Sequence, residues 1–345
     1  MVAGGTIPAL QSLRGIAALV VLLHHASFVF ATSPWLRGAL ETALNAHAAV
    51  VLFFVLSGFV LCRSLAARPL TPTATARFWW RRAWRIYPAV FVAVMLAAAV
   101  LALLAGAPTP HASAWYMAML APAQPDPSGI ALNLAVLKTT LVPPLWSVRV
   151  ELMMSLLMPL VWLVARGRLL WPLLALAAAL CLGLGDRHAV LANGLAFAFG
   201  AALARNDAPV PGPVPAIAAT IVLLLFRRLD PAWRFEMDFG AVVPTLVESL
   251  AAAVIVGHLA RAEPPRWLVA APLVGLGDIS YSLYVLHFPI LVALATLPLF
   301  AGLAPDPAAL LLMALTLAAT LPLAMLSYSW IERPGIAIGR GRHAG

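Results

Sequence analysis

Arg14 and His25 stand eleven positions apart in the first apolar run of the chain, SLRGIAALVVLLHH. At about 100° per residue, eleven steps close three helical turns with roughly 20° to spare, so the two side chains share one face, about 16 Å apart along the axis. That is half the thickness of a bilayer core. His24 points roughly 80–100° away from the same stripe. A guanidinium holds anions and an imidazole exchanges protons near neutral pH. The stripe therefore joins a cationic rim to a proton-exchanging group deep in an apolar segment. The plainer alternative is an arginine snorkelling to the interface and a histidine bonded to a neighbouring helix.

Other polar groups in apolar runs weigh against that alternative. WSVRVE at 146–151 sets Glu151 about one turn inside a hydrophobic segment beside Arg149, and a carboxylate there needs a partner or a proton. GDISYSLYVLHFP at 277–289 carries Ser280, Tyr281, Ser282, Tyr284 and His287. Tyr284 and His287, three apart, are neighbours on one helix face, and the tyrosines are expected to bond to other helices. FFVLSGF at 53–59 couples Ser57 to Gly58, a pair expected to serve close packing.

The elements that carry these groups follow from composition. Of 345 residues, 63% are hydrophobic and 10% charged, whereas a soluble domain carries about a quarter charged residues. A net charge of +9 does not point to nucleic acid, because the arginines fall between apolar runs instead of along one polar face. Cys62 and Cys181 lie inside such runs, which argues against a disulfide framework or a metal cluster. Ten runs read as spans: 12–31, 47–65, 87–106, 145–165, 169–185, 189–204, 213–229, 241–260, 272–298 and 307–331. The first is read as a span and not as a cleaved signal, since it holds polar groups a signal core has no use for. With the N-terminus inside, 15 cationic residues fall on the cytoplasmic side and 6 outside, as short cytoplasmic loops require. The expected fold is an all-α polytopic membrane protein of about ten transmembrane helices, N-in and C-in. Residues 1–334 are expected to form a single transmembrane domain and 335–345 a short basic cytoplasmic tail. The 66–86 loop is basic and Trp-rich, and the 107–144 loop is long and outside.

SLRGIAALVVLLHH, FFVLSGF, RRAWRIYP, LWSVRVE, ISYSLYVLHFP and WIERP, in this order from the first span to Pro334, resemble the acyltransferase-3 family of integral membrane acyltransferases. Members of that family move an acyl group, commonly acetyl from acetyl-CoA, onto a hydroxyl of a cell-surface glycan, a lipid-linked sugar or a small molecule. The family's first motif is an arginine, ten residues and a histidine, which selects Arg14 and His25 and passes over His24. Gln11 stands where many members carry an acid, and Arg149 where small residues are common in the motif that ends at Glu151.

The resemblance implies a membrane acyltransferase in which His25 is the general base for the acceptor hydroxyl. Glu151 is expected to orient His25 or to stabilise its imidazolium, as the third member of a triad does. Arg81, Arg82 and Arg85, with Tyr87 in the same run, suit the phosphates of coenzyme A on the cytoplasmic side, and Arg14 is placed to steer the pantetheine arm. Ser57, Trp146, Tyr281, Tyr284, His287 and Glu332 are expected in support. The expected partners are acyl-CoA as co-substrate, a glycan or lipid-linked sugar acceptor, and the bilayer, with no metal, no permanently bound cofactor and no nucleic acid. The Ala-, Pro- and Arg-rich composition points to a bacterial cytoplasmic (inner) membrane. A proton-coupled transporter could use the same buried His, Arg and Glu groups, but the chain shows no internal repeat of the transporter kind. Consumption of acyl-CoA separates the two.

Overall fold

Proline and small polar residues decide where the helices start. Ser33, Asn45, Ser113 and Asp126 each accept a backbone N–H of the first turn that follows, and Pro34, Pro127, Pro213 and Pro305 open helices where no N–H is needed. The computed structural model describes residues 6–67, 69–104, 107–186, 189–205, 207–208, 210–230 and 241–341. Its helices are α1 (Pro8–Ser27), α2 (Pro34–Ala43), α3 (Ala46–Ala66), α4 (Pro72–Leu103), α5 (Ala114–Leu120), α6 (Pro127–Leu134), α7 (Leu145–Ala165), α8 (Leu170–Leu184), α9 (Ala189–Leu203), α10 (Pro213–Leu225), α11 (Val242–Leu259), α12 (Ala271–Asp278), α13 (Ser280–Ala295), α14 (Pro305–Ser327) and α15 (Arg333–Gly339). Among the described residues the sole extended pairing is one bridge, Phe30 to Ala112. Arg68, Arg187, Arg234 and Arg342, counted in the charge balance, lie outside the described residues, as do residues 105–106 of the third expected span and the last four of the tail.

Among the described residues, six helical stretches are long and apolar enough to cross a membrane, and seven if α12 and α13, broken at Ile279, form one span. The runs at 169–185, 189–204 and 213–229 are helical, as α8, α9 and α10, but at 15, 15 and 13 residues they fall short of the roughly 20 that cross a bilayer unaided. The basic segment expected as a loop at 66–86 belongs mostly to α4. That helix runs for 32 residues, about 48 Å at the standard rise, so the arginine cluster and the apolar run that follows it share one helix. The long 107–144 connection carries α5 and α6. Prolines 88, 159, 289 and 322 sit inside helices, which is tolerated where neighbouring groups satisfy the freed carbonyls.

The chain folds as two compact units, each discontinuous in sequence. One comprises Met1–Ala17, Asn45–Trp79 and Val150–Gly277. Within it α3, α9 and α11 pack on one another, with α10 against α11 and α8 against α9. Small residues allow the closest approach: a Cβ on Gly58 would come within 2.1 Å of the Phe197 carbonyl oxygen, and one on Gly200 within 2.1 Å of the Val55 oxygen. Phe54 and Phe197 stack beside this crossing, with ring centroids 5.0 Å apart. α1 and α12 meet in the same way, where a Cβ on Gly277 would lie 2.0 Å from the Gln11 oxygen. Beyond α9, Arg205 donates to both carboxylate oxygens of Asp207 and to the carbonyls of Ala165 and Gly167, tying the ends of α7 and α9. The bonds from Arg205 hold the Asp207 carboxyl below the usual carboxylate range.

The other unit comprises Ala18–Leu44, Trp80–Arg149 and Asp278–Gly345. α13 packs along α14. Asp306 at the start of α14 accepts from the Ser33 backbone N–H at 2.7 Å and its hydroxyl at 2.6 Å, which pins α2 to α14. α15 lies against α4, where a Cβ on Gly335 would come within 2.7 Å of the Trp84 oxygen. Residues 111–113 run beside 29–31 through bonds from Ala31 N to His111 O (3.0 Å) and from Ser113 N to Val29 O (2.8 Å). His111 adopts φ 53° at this junction, a conformation uncommon outside glycine.

Gly200→Val forces a branched side chain into the α3 backbone and is expected to cost roughly 3 kcal/mol, the upper end of ordinary overpacking. Gly183→Ala, on α8 with nothing within 4 Å of the added carbon, is expected to cost nothing. Thermal unfolding in detergent micelles measures both.

Candidate active site

A hydrogen-bonded file of four groups runs through the second unit. His25, near the C-terminal end of α1, places Nδ1 2.8 Å from Nε2 of His287 on α13. The other nitrogen of His287, Nδ1, lies 2.6 Å from the carbonyl oxygen of Tyr284, one turn earlier on the same helix. A carbonyl only accepts, so His287 Nδ1 carries a proton. Among the described residues neither ring is paired with a carboxylate, His287 is fully buried, and a lone buried imidazolium is costly; both rings are therefore read as neutral. His287 Nε2 then has a lone pair and accepts from His25, whose proton sits on Nδ1. His25 Nε2 is left as an unprotonated acceptor.

Aromatic rings close in on this pair. The two imidazoles are nearly coplanar, with 5.1 Å between centroids and 10° between planes. Trp115 of α5 lies on the His25 ring at 5.7 Å and 22°, and Phe288 stands edge-on at 6.2 Å. His24 turns away to stack on Phe28 at 4.3 Å, as the helical angle required. Beside Trp115, burial pushes the Tyr116 phenol up to about 12. Tyr284 extends the file on its other side: its hydroxyl donates to the Pro144 carbonyl at 2.9 Å and lies 2.7 Å from the Ser147 hydroxyl. Two sequence motifs, WSVRVE and ISYSLYVLHFP, thus meet through Ser147 and Tyr284. Trp146, next to that serine in the first turn of α7, is half-buried.

A second polar cluster of this unit lies where α4 meets α15. Arg85 forms an ion pair with Glu332, and its guanidinium carbon lies 5.3 Å over the Tyr281 ring. Ser282 donates to Glu332 at 2.8 Å, and Tyr281 donates to the Ile86 carbonyl at 3.0 Å. Glu332 ends a five-residue π-helical turn, Tyr328–Glu332, a departure from regular helix that recurs at functional sites. Arg85, expected to hold phosphate, thus has a carboxylate beside it. Arg81 and Arg82 are half-buried on the same helix, and Tyr87 is 40% exposed.

The remaining expected residues belong to the first unit or to the shared helix. Arg14 is half-buried on α1, the helix that carries His25. Ser57 stands beside the Gly58 crossing, as the packing expectation had it. Glu151 is half-buried on α7, and its carbonyl accepts from Ser155 at 2.7 Å. The bond at His25 Nδ1 is made by His287. The first unit also holds a cluster that the sequence analysis missed. Glu248, fully buried on α11, accepts from Arg227 Nε at 2.8 Å, lies 2.6 Å from His47 Nδ1 and accepts from Asn45 at 3.3 Å. Its signal was present, since Glu248 is a single carboxylate in an apolar run and demands a cation. Among the described residues, no group of three or more His, Cys, Asp or Glu could hold a metal ion.

A family described as an acyltransferase domain, acyltransferase-3, matches residues 7–328. The chain is 28% identical over 371 aligned positions to BcsY of Komagataeibacter xylinus, described as a candidate membrane-bound transacylase, with 95% of this chain and 82% of that protein covered. It is 36% identical over 104 residues to protein 2 in the picA locus of Rhizobium radiobacter, a match covering 29% of this chain and 50% of that protein. No solved structure matches.

Glu332→Ala removes the carboxylate that Arg85 and Ser282 share and is expected to cost about 3–5 kcal/mol, as for other broken buried ion pairs. Glu332→Gln keeps an acceptor for Ser282 and is expected to cost less. Unfolding of both variants in detergent measures the difference.

Proposed function

The chain belongs to the acyltransferase-3 family, and from that membership together with the paired imidazoles we propose that it carries an acyl group, acetyl by default, from cytoplasmic acyl-CoA to a hydroxyl of a cell-envelope glycan or lipid-linked sugar. The observation that carries this is the open Nε2 of His25, fixed by the bond from its Nδ1–H to His287. As the acceptor oxygen attacks the thioester carbonyl, its proton passes to His25 Nε2. The charge that forms is stabilised through Nδ1–H by His287, which takes the orienting role first expected of Glu151. The C–S bond then breaks, and the leaving thiolate takes the proton back from Nε2. The products are an ester and a free thiol, with no covalent enzyme intermediate.

The donor side rests on charge. Arg81, Arg82 and Tyr87, with Arg85 anchored beside them on Glu332, would receive the phosphates of coenzyme A. Arg14 lies eleven residues before His25 on the same helix, about 16 Å at the standard rise, and would guide the pantetheine arm. We take the topology to be N-in and C-in with ten helices, the broken α12–α13 pair counted as one span and α8, α9 and α10 completing the set, in a bacterial cytoplasmic membrane. Acyl-CoA is the co-substrate, and no resident cofactor is needed for this chemistry.

Turnover of radiolabelled acetyl-CoA by purified protein in detergent, with crude envelope glycans as acceptor, tests the proposal. His25→Ala is expected to lose about 10²–10⁴-fold in rate, and His24→Ala to keep wild-type turnover. His287→Leu is expected to fall steeply, and His287→Gln to recover part of the loss because its amide oxygen accepts from His25 Nδ1–H. Full activity in His25→Ala, or equal rates for the Leu and Gln variants, contradicts the mechanism. No wild-type turnover with any acyl-CoA chain length contradicts the donor.

A further inference from the structure

One donor beside His25 has nothing to donate to. The indole Nε1–H of Trp115 is buried, the residue is 8% exposed, and it meets no acceptor among the described residues. Indole N–H groups that are buried ordinarily find a partner, and one without a partner calls for an explanation. The segment around it is built with care. Residues 111–113 are bonded along 29–31, Ser113 caps α5 by accepting from Tyr116 N–H at 3.1 Å, and His111 adopts its unusual φ to make the turn. The outcome is a tryptophan held on two sides, stacked on His25 at 5.7 Å and edge-on to Phe28 at 5.7 Å. This packing fixes the indole in one orientation next to the imidazole expected to act as base.

We propose that Trp115 is a catalytic residue whose indole N–H donates to the thioester carbonyl oxygen as it becomes an oxyanion. The inference rests on the reading of His25 as general base and adds the electrophilic half of the site. When the acceptor oxygen adds to the carbonyl carbon, the C=O electron pair moves onto oxygen, and His25 Nε2 holds the acceptor's proton. The oxyanion then collapses, the C–S bond breaks, and the thiolate leaves with that proton. A tetrahedral oxyanion in an apolar site needs a donor aimed at it, and removal of one such donor lowers turnover by about 10²–10³-fold in acyl-transfer enzymes. Tryptophan suits the place, because it donates without accepting and so cannot compete with His25 for the hydroxyl proton. Its partner is needed only while charge builds, which explains a buried donor with no acceptor among the described residues.

Trp115→Phe keeps an aromatic face against His25 and removes the N–H. In detergent-purified protein turning over acetyl-CoA with envelope glycans, this variant is expected to lose about 10²-fold or more in kcat with little change in KM for acetyl-CoA or for the glycan fraction. Replacement of Trp115 by benzothienylalanine, which keeps the bicyclic shape and lacks the N–H, is expected to give the same loss and guards against a packing defect in the phenylalanine variant. Wild-type kcat in the benzothienyl protein overturns the proposal. A rise in KM with kcat unchanged also overturns it, since the N–H would then bind ground-state substrate. His25→Ala is measured alongside. If it stays active, the general-base reading fails whatever Trp115 does. If it is inactive while both Trp115 replacements turn over normally, only the oxyanion assignment falls.

Discussion

A carbonyl oxygen can accept a hydrogen bond and never donate one, and the oxygen of Tyr284 imposes that rule on the groups that follow it. It fixes the proton on His287 Nδ1, which makes His287 Nε2 an acceptor, which places the proton of His25 on Nδ1. The reactive edge of His25 is settled by an atom two hydrogen bonds away. The same helix supplies the hydroxyl of Tyr284 to Ser147 and Pro144, so rotation of α13 would disturb the partner of His25 and its support together. Because α13 is pinned at both faces, the tautomer is a property of the fold and not of the histidine alone.

Polar groups in an apolar chain survive by closing on one another. Among the described residues such sets include His25 with His287, Arg85 with Glu332 and Ser282, and Glu248 with Arg227, His47 and Asn45. The last two carry formal charge and have their carboxylates fully or almost fully buried, so loss of one member leaves the opposite charge in a place water does not reach. The imidazole pair differs, since its members are neutral and only one proton is shared across their contact. That neutrality fits the proposed role of His25, which gains a proton during turnover and loses it again. The ion-paired sets are suited to holding helices in register.

Much of this was legible in the residues. The eleven-residue spacing singled out His25 over His24, and the rings diverge accordingly, one toward His287 and the other onto Phe28. Ser57 and Gly58 read as a packing device and mark the α3–α9 crossing. The three-residue step from Tyr284 to His287 placed them together. What sequence periodicity does not carry is which helices meet. His287 entered the reading as a supporting residue, and Glu151 took the orienting place because a carboxylate is the usual third member of a triad. Arg227 was one of the six charges assigned to the outside, and its partner, Glu248, lies on another helix 21 positions later. Three runs of 16 to 17 residues read as spans form helices of 13 to 15 residues, because hydropathy does not report where a helix ends. Trp115 passed unnoticed for a related reason: nothing local distinguishes an anchoring tryptophan from one whose N–H is held without a partner.

The central claim is a tautomer, and nitrogen NMR of the histidine rings reports it directly. In protein labelled with ¹⁵N-histidine in micelles near neutral pH, with His25 assigned by the signals lost in His25→Gln, a protonated Nδ1 and an unprotonated Nε2 are predicted for His25. His287→Leu is predicted to shift that balance. A His25 ring protonated on Nε2 alone, or on both nitrogens, would contradict the hydrogen-bond file from Tyr284 and with it the assignment of His25 as the base.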